Sequence, residues 1–325
     1  MKNGYLSIIA ILALSLLLMP LLAKTDKIQN DKEESPPTSS NSQNKNEDLV
    51  LVYIKEEKKV ISVSLEEYIC GTVAAEMPAV YEKEALKAQA VCAFTYLCKK
   101  MENKKPDDEF DITDDFKTDQ AYITKETRQE RWGEKYSIYE EKILDAVKET
   151  ANKVITYEGK IIFAAYHAIS SGKTEDAKNV WGGEYPYLKA VSSEGDLLHK
   201  DFLSEKTVAK KDFEEALVNK EVKFGDNPME YIGDIQKSES GTVLKILICG
   251  KEFTGSEIRE IFDLRSSNFD IKFIENTGFV FSVKGYGHGV GMSQNGANYL
   301  AQSGKSFDEI ICHYYSGVKL ENYNK

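Results

Sequence analysis

Apolar positions at the start of the folded region change their spacing in a way that predicts strands first and a helix afterwards. Two apolar runs, residues 49–54 and 60–63, flank a charged stretch and are typical of a strand pair. Ser64, with Glu67 three residues later, predicts a capping box that begins a helix, and Pro78 must end it. The sequence therefore predicts two strands followed by one helix.

The middle of the chain shows both the helical and the strand spacing of apolar residues. A wide apolar stripe over residues 82–101 predicts a central, buried helix. Residues 103–119 are polar and acidic and predict a loop, and a further helix is expected over residues 138–150. Two strands joined by a tight turn at Glu158 follow that helix.

This mixture of elements defines the expected architecture. Short helices alternate with strands between about residues 196 and 276, and no internal repeat is visible. We therefore predict an α+β fold for residues 49–325, a single mixed domain with an inserted or appended second lobe at about 196–276.

The amino-terminal segment, residues 1–24, predicts an association with a membrane. Its uncharged apolar run from Tyr5 to Ala23 is about long enough to cross a bilayer. It fits either a signal anchor that is retained or a signal peptide cut after Ala23, and the length of the run favours the anchor. Residues 25–48 are polar and predict a flexible linker.

Composition narrows the possible partners. A net charge of -11 without a basic stripe would repel nucleic acid, so we expect no nucleic-acid binding. With 42% hydrophobic residues the chain can form a substantial core.

Glu76 is the acidic residue that stands out most clearly. Helical spacing places it on the face that Leu65 and Ile69 turn inward, in the last turn, where the helix dipole disfavours a negative charge. Both effects raise the pKa of a carboxyl group, as a general acid requires. The alternative is a structural glutamate that is partly exposed or paired with Lys83 or Lys87.

A glycine-rich segment, residues 284–304, is the second candidate. Glycines alternate around His288, which would leave backbone N–H groups open to a ligand. Ser293 can cap the helix that follows, so that His288, Ser293 and Gln294 would stand at a helix amino terminus. The alternative is a glycine-rich turn that packs against another lobe.

A third candidate segment covers residues 166–191. Short polar side chains beside aromatic rings suit a sugar groove, because rings pack on sugar faces while polar groups bond hydroxyls. Trp181 could equally face the core. A serine hydrolase is disfavoured because no Gly-x-Ser-x-Gly elbow is present. The candidate binding residues here are His167, Ser170, Ser171, Lys173, Trp181 and Tyr185.

Three stretches resemble the stage II sporulation protein D family of lytic transglycosylases. They are EEYICGTVAAEMPAVYEKEALKAQAVCAFTY, the segment from VITYEGK to YPYLKAV, and GYGHGVGMSQNGANYLAQSGKSFDEIICHYYSG. The resemblance implies an enzyme that cleaves peptidoglycan glycan strands from which the stem peptides have been removed, during engulfment of the forespore. The family's catalytic glutamate falls in AAEMP, which is Glu76 here.

The resemblance also implies a location and partners. It places a membrane-anchored catalytic domain outside the cytoplasm, in the space between mother cell and forespore. It further implies contact with the sporulation amidase, stage II sporulation protein P, and with stage II sporulation protein M.

Two departures from the family pattern are visible. Phe94 occupies the place of a family arginine, and the segment after that helix lacks the His and Cys residues with which some relatives bind zinc. The acidic residues there lack the ordered spacing of a calcium loop. We therefore expect neither a metal nor another cofactor.

A second hypothesis comes from another functional class. The chain could bind glycan strands and stimulate a partner amidase without cleaving them, with Glu76 as a polar contact only. Release of 1,6-anhydro-muramyl ends separates the two hypotheses, because only the enzyme produces them.

Overall fold

The computed structural model describes residues 48–323, which form a mixed α+β structure. The helices are α1 Leu65–Glu76, α2 Lys83–Glu102, α3 Lys125–Trp132, α4 Tyr136–Glu149, α5 Ala177–Trp181, α6 Lys210–Val218, α7 Gly255–Ile261, α8 Gln294–Gln302 and α9 Phe307–Tyr314. The predicted α+β class is confirmed, and the predicted bounds of α1, α2 and α4 agree to within two residues.

The strands form several small sheets. They are β1 Leu49–Ile54, β2 Lys59–Ser64, β3 Ile112–Thr113, β4 Lys153–Tyr157, β5 Lys160–Ile161, β6 Tyr166–His167, β7 Leu203–Val208, β8 Ile232–Lys237, β9 Val243–Ile248, β10 Lys251–Phe253, β11 Phe269–Ile274, β12 Gly278–Lys284, β13 Met292–Ser293 and β14 Lys319–Asn322. The sheet orders are β2-β1-β3, β14-β4-β5, β13-β6, β11-β12-β7 and β10-β9-β8.

Helix α2 is the centre of the larger core. It packs against α1, α4, α8, α9 and strand β4, and its apolar stripe is buried, as the sequence predicts. Pro78 is followed by a short turn, so α1 ends at Glu76 and the chain reverses into α2. The end of α1 is thereby held beside the amino terminus of α8.

A second buried cluster lies in the middle of the sequence. Its aromatic rings stack closely, with 3.9 Å between the ring centroids of Phe213 and Phe279 and 4.9 Å between those of Phe213 and Phe262. It is formed by α6, α7 and strands β7 to β12. The boundaries predicted for a second lobe, at about 196 and 276, remain a prediction.

The helices and strands described above do not test the predicted amino-terminal membrane segment. Within residues 48–323 no helix combines the length and the apolarity needed to cross a membrane. The predicted membrane segment, residues 1–24, lies outside the described residues.

Glu67 differs from its predicted role. Ser64 Oγ accepts a hydrogen bond from the Glu67 backbone at 3.2 Å, as a helix cap should. The Glu67 carboxylate, however, binds the guanidinium of Arg128 at 2.9 Å instead of returning to the Ser64 backbone. The predicted reciprocal capping box is therefore wrong, because a buried cation outcompetes a backbone N–H for this carboxylate.

Arg128 is fully buried and joins α3 to α1 and α4. Its guanidinium also binds both carboxylate oxygens of Glu140 at 2.8 Å.

We expect Arg128→Met to lower the free energy of unfolding by about 3 kcal/mol, because it leaves Glu67 and Glu140 without their shared cation. Denaturant unfolding measures this loss. The control Arg131→Met, in the same helix but exposed, should change stability little, and an equal loss in both variants would contradict the prediction.

Candidate active site

Glu76 is the last residue of α1, and its carboxyl group faces the protein. Its Oε1 accepts a hydrogen bond from the Ala121 backbone at 2.9 Å, and its Oε2 accepts one from Gln294 Nε2 at 3.3 Å. Glu76 does not pair with Lys83 or Lys87, which was the alternative hypothesis, because both lysines bind Glu149 instead. The two most distinctive sequence segments therefore meet at this carboxyl group.

The surroundings of Glu76 favour its neutral form. Burial of the carboxyl raises the pKa of Glu76 above its ordinary value, while hydrogen bonds from the Ala121 backbone and Gln294, together with the nearby Tyr166 hydroxyl, lower the pKa and offset part of this effect. Within residues 48–323, none of the groups that contribute most to this shift in the pKa of Glu76 is a carboxylate. The site is thus built around one acid that can hold its proton closer to neutral pH than an exposed glutamate.

Further amide and phenol side chains lie around this carboxyl group, and the sequence analysis did not name them. They are Gln89, Gln120 and Tyr166. Gln294 Nε2 lies 3.4 Å from Gln89 Oε1, and Tyr166 donates to Gln120 Oε1 at 2.8 Å. Gln89 is buried in the apolar stripe of α2, and its own Nε2 has no partner among the described residues. A polar residue within a predicted buried stripe was the available signal, and the sequence reasoning missed it.

The alternating glycines serve close packing. Gly285, Gly287, Gly289 and Gly291 all have positive φ. The N–H groups of Gly285 and Gly287 donate to the carbonyls of Phe202 and Arg265. The prediction that these two N–H groups lie open to a ligand is therefore wrong, and the alternative of a packed turn holds for them.

Ser293 and Gln294 begin α8 as predicted. Ser293 Oγ accepts a hydrogen bond from the Gly296 backbone, and Ser293 also donates to Asp196 Oδ1 at 2.8 Å. Asp196 is buried and accepts a further bond from the Ser170 backbone at 2.8 Å. Ser293 thus fixes the helix start, which leaves Gln294 to face Glu76.

An aromatic group lies next to this helix start. The ring centroid of His288 is 5.1 Å from that of Trp181 and 5.7 Å from that of His167, and Tyr185 lies against Trp181 at 6.2 Å. Trp181 is 40% exposed, so it does not face the core. His167 is buried, with Nδ1 3.1 Å from the Val290 carbonyl oxygen. Burial lowers the pKa of His167 and that of His288, the latter to about 3, so both rings are neutral.

The remaining predicted binding residues contact the neighbouring segment and not Glu76. Ser171 Oγ donates to the Ser240 carbonyl at 2.7 Å, and Lys173 pairs with Glu239 at 3.2 Å. Ser170 Oγ accepts a bond from the Gly172 backbone. These contacts give the three residues structural partners, and a role in binding substrate stays a prediction for them.

A cleft opens beside His288. Its volume is about 790 Å³, which is ample for sugar rings. Phe116, Tyr286 and His288 line it together with charged residues of β7 and α7. His288 belongs to the glycine-rich segment that leads into Gln294, so this one segment contributes both to the cleft and to the surroundings of Glu76.

The raised pKa of Glu76 has a consequence for stability. Folding favours the protonated carboxyl, so Glu76 stabilises the fold fully below its unfolded-state pKa and loses that contribution as the pH rises through the folded-state pKa. We expect Glu76→Gln to melt at a higher temperature than the wild type at about pH 7.5, with the difference shrinking towards about pH 4. Thermal melts across this range test it, with the exposed Glu66→Gln as the control for loss of a charge. An unchanged or lower melting temperature of Glu76→Gln at the higher pH contradicts it.

Comparison with known proteins supports the resemblance seen in the motifs. A family model described as stage II sporulation protein matches residues 53–157. Stage II sporulation protein D of Bacillus amyloliquefaciens is 38% identical over 275 residues, covering 83% of this chain and 78% of that protein. The protein of the same name from Bacillus subtilis (strain 168) is 36% identical over 272 residues, with the same coverage.

A more distant relative has a different name. The protein named amidase enhancer of Bacillus subtilis (strain 168) is 29% identical over 305 residues, which cover 78% of this chain and 40% of that protein. The similarity to the two D proteins extends over more than two thirds of each of them, at more than 30% identity. The chain therefore belongs to the stage II sporulation protein D family.

Proposed function

We propose that this protein is a lytic transglycosylase that cleaves the bond between MurNAc and GlcNAc in peptide-free peptidoglycan strands during sporulation. The observation that supports it most directly is the Glu76 carboxyl group, which is desolvated and hydrogen-bonded to Ala121 and Gln294, with no carboxylate among its hydrogen-bond partners in the described residues. Ordinary glycosidases need two carboxylates. A lytic transglycosylase needs one.

The proposed reaction uses that one group twice. Glu76 gives its proton to the glycosidic oxygen as the bond from that oxygen to C1 of MurNAc breaks. The 6-hydroxyl oxygen of the same MurNAc then bonds to C1, and its proton returns to the Glu76 carboxylate. The products are a free GlcNAc 4-hydroxyl and a 1,6-anhydro-MurNAc end, and no water is consumed.

The neighbours of Glu76 suit both halves of this cycle. Ala121 N–H and Gln294 Nε2 bind the carboxylate form and hold its orientation, while burial keeps the proton available for donation. Because these partners are neutral, they leave the acid free to gain and lose its proton. The half-exposed ring of Trp181 offers a face for a sugar.

The same proposal covers location and partners. Residues 1–24 would anchor the protein in the membrane, with the catalytic domain outside the cytoplasm, in the space between mother cell and forespore. There it would meet the glycan strands, stage II sporulation protein P, whose amidase activity removes stem peptides, and stage II sporulation protein M. Protease treatment of protoplasts from cells in which engulfment is incomplete tests the topology, because an extracytoplasmic domain is degraded and a cytoplasmic one is protected.

The second candidate is an activator that binds strands and stimulates an amidase without cleaving them. The relative named amidase enhancer favours this alternative. Its similarity covers less than half of that protein, whereas the two D proteins are matched over most of their length. We therefore rank it second.

Product mass decides between the two. The purified full chain is incubated with peptide-free strands, and the released fragments are weighed by mass spectrometry. Each transglycosylase cleavage gives one fragment that ends in anhydro-MurNAc and is lighter by one water than the same fragment produced by hydrolysis. Strand binding without any such fragment, together with stimulation of an added amidase, would overturn the proposed enzyme and favour the activator.

A further inference from the structure

Arg259 is a half-buried cation whose charge the protein compensates only in part. It lies on α7 and lines the cleft beside His288. Its Nε donates to the Leu264 carbonyl at 3.3 Å, and no ion pair involves it within the described part of the chain. Burial lowers the pKa of Arg259, while the nearby Tyr286 and Asp263 raise it and offset part of this effect. A desolvated charge without a partner is costly, which points to an anion supplied by a ligand.

The other cations of the cleft are placed differently. Lys206 pairs with Asp263 at 3.6 Å, and Arg265 lies 3.8 Å from Asp201 and over the ring of Tyr286. Lys117 is exposed to solvent. Carboxylates of the protein already neutralise the two paired cations, so Arg259 is the cleft cation best suited to an incoming anion.

Arg259 lines the same cleft as His288, whose ring packs against those of Trp181 and His167. The charge of Arg259 contributes to the lowered pKa of both His288 and His167. His288 belongs to the glycine-rich segment that leads into Gln294, and Gln294 donates to the Glu76 carboxyl group. A strand bound in the cleft would therefore lie against the segment that holds Gln294 at the acid.

We propose that Arg259 binds the lactyl carboxylate of a muramyl residue in a peptide-free strand. This inference rests on the proposed function. Removal of a stem peptide converts the lactyl amide into a free carboxylate, so only peptide-free muramyl residues present this anion. A guanidinium can bind a carboxylate through two parallel hydrogen bonds, which an amide cannot reproduce. Arg259 therefore gives the cleft a preference for peptide-free strands.

Binding measurements test this assignment separately from catalysis. The full chain carrying Glu76→Gln prevents turnover, and its affinity is measured by calorimetry for peptide-free strands, peptide-substituted strands and uncharged chitin oligomers. Adding Arg259→Gln should weaken binding of peptide-free strands at least about tenfold, the loss expected for one charged hydrogen-bonded pair. Binding of chitin oligomers should stay within about twofold, and Arg259→Lys should recover part of the loss.

The control is Arg131→Gln, which removes an exposed arginine on α3 and should leave all three affinities unchanged. An unchanged affinity of Arg259→Gln for peptide-free strands overturns the assignment, as does an equal loss for chitin. A larger loss for peptide-substituted strands overturns it in favour of stem-peptide carboxylates. Failure of the proposed function shows elsewhere, as an absence of anhydro ends from the wild type, and it leaves these affinities interpretable.

Discussion

Replacing Glu76 with glutamine is expected to reduce the release of anhydro-muramyl ends by about a thousandfold or more. Glutamine keeps the size and can still accept the Ala121 N–H bond, but it cannot give or take a proton. General acid and base catalysis by one group is typically worth about 10²–10⁴-fold, and here one group serves both steps. Counting anhydro ends by mass spectrometry measures the loss.

The matched control is Glu66→Gln, an exposed glutamate on the same helix, which should retain wild-type activity. Strand affinity of Glu76→Gln should change little, since its partners remain in place. Residual activity above about a tenth of the wild type would show that another group supplies the proton. Loss of binding together with activity would assign Glu76 to substrate contact only.

The pH dependence follows from the same carboxyl group. Because burial raises the pKa of Glu76, its protonated fraction persists to higher pH than for an exposed glutamate and falls as the pH passes the folded-state value. The wild-type rate should therefore decline on the alkaline side with the titration of one group.

Much of the fold was predictable from local patterns. Helices α1, α2 and α4 have clear apolar stripes, and Pro78 marks the end of α1. Helix α3 was missed because its sequence, KETRQERW, has no apolar stripe, and it is held by the ion pairs of Arg128. Strand β3 was hidden within an acidic loop, since its two residues pair with β1 from a distance in sequence.

The site was predictable where a residue contradicts its local pattern. Glu76 stands on an apolar face, and Ser293 precedes a helix, so spacing alone places Gln294 at the first turn. Gln120 was missed because its role depends on tertiary neighbours, whereas Gln89 stood as a polar residue in an apolar stripe, a signal that was overlooked. The sequence left open whether the glycine-rich segment binds a ligand or packs as a turn, and the packing of Gly285 and Gly287 depends on a segment more than a hundred residues away.

Gly291→Ala is expected to be among the most destabilising single changes in the chain. Gly291 has a φ of 73°, and an added Cβ would lie 2.0 Å from the carbonyl oxygen of Ala165. Positive φ alone costs about 1–3 kcal/mol for a residue with a side chain, and the clash would push β13 away from β6. Since β13 leads into α8, Gln294 would shift from Glu76, so the loss of stability should come with a loss of activity.

Gly304→Ala separates the cost of the positive φ from the cost of the steric clash. Gly304 has a φ of 86° after the end of α8, but nothing lies within 4 Å of an added Cβ. It should therefore lose only the conformational term, about 1 kcal/mol, and keep its activity. Denaturant unfolding and product release are measured for both variants. Equal destabilisation of the two would mean that the segment around Ala165 yields easily, and that the glycine-rich turn does not hold Gln294 against the acid.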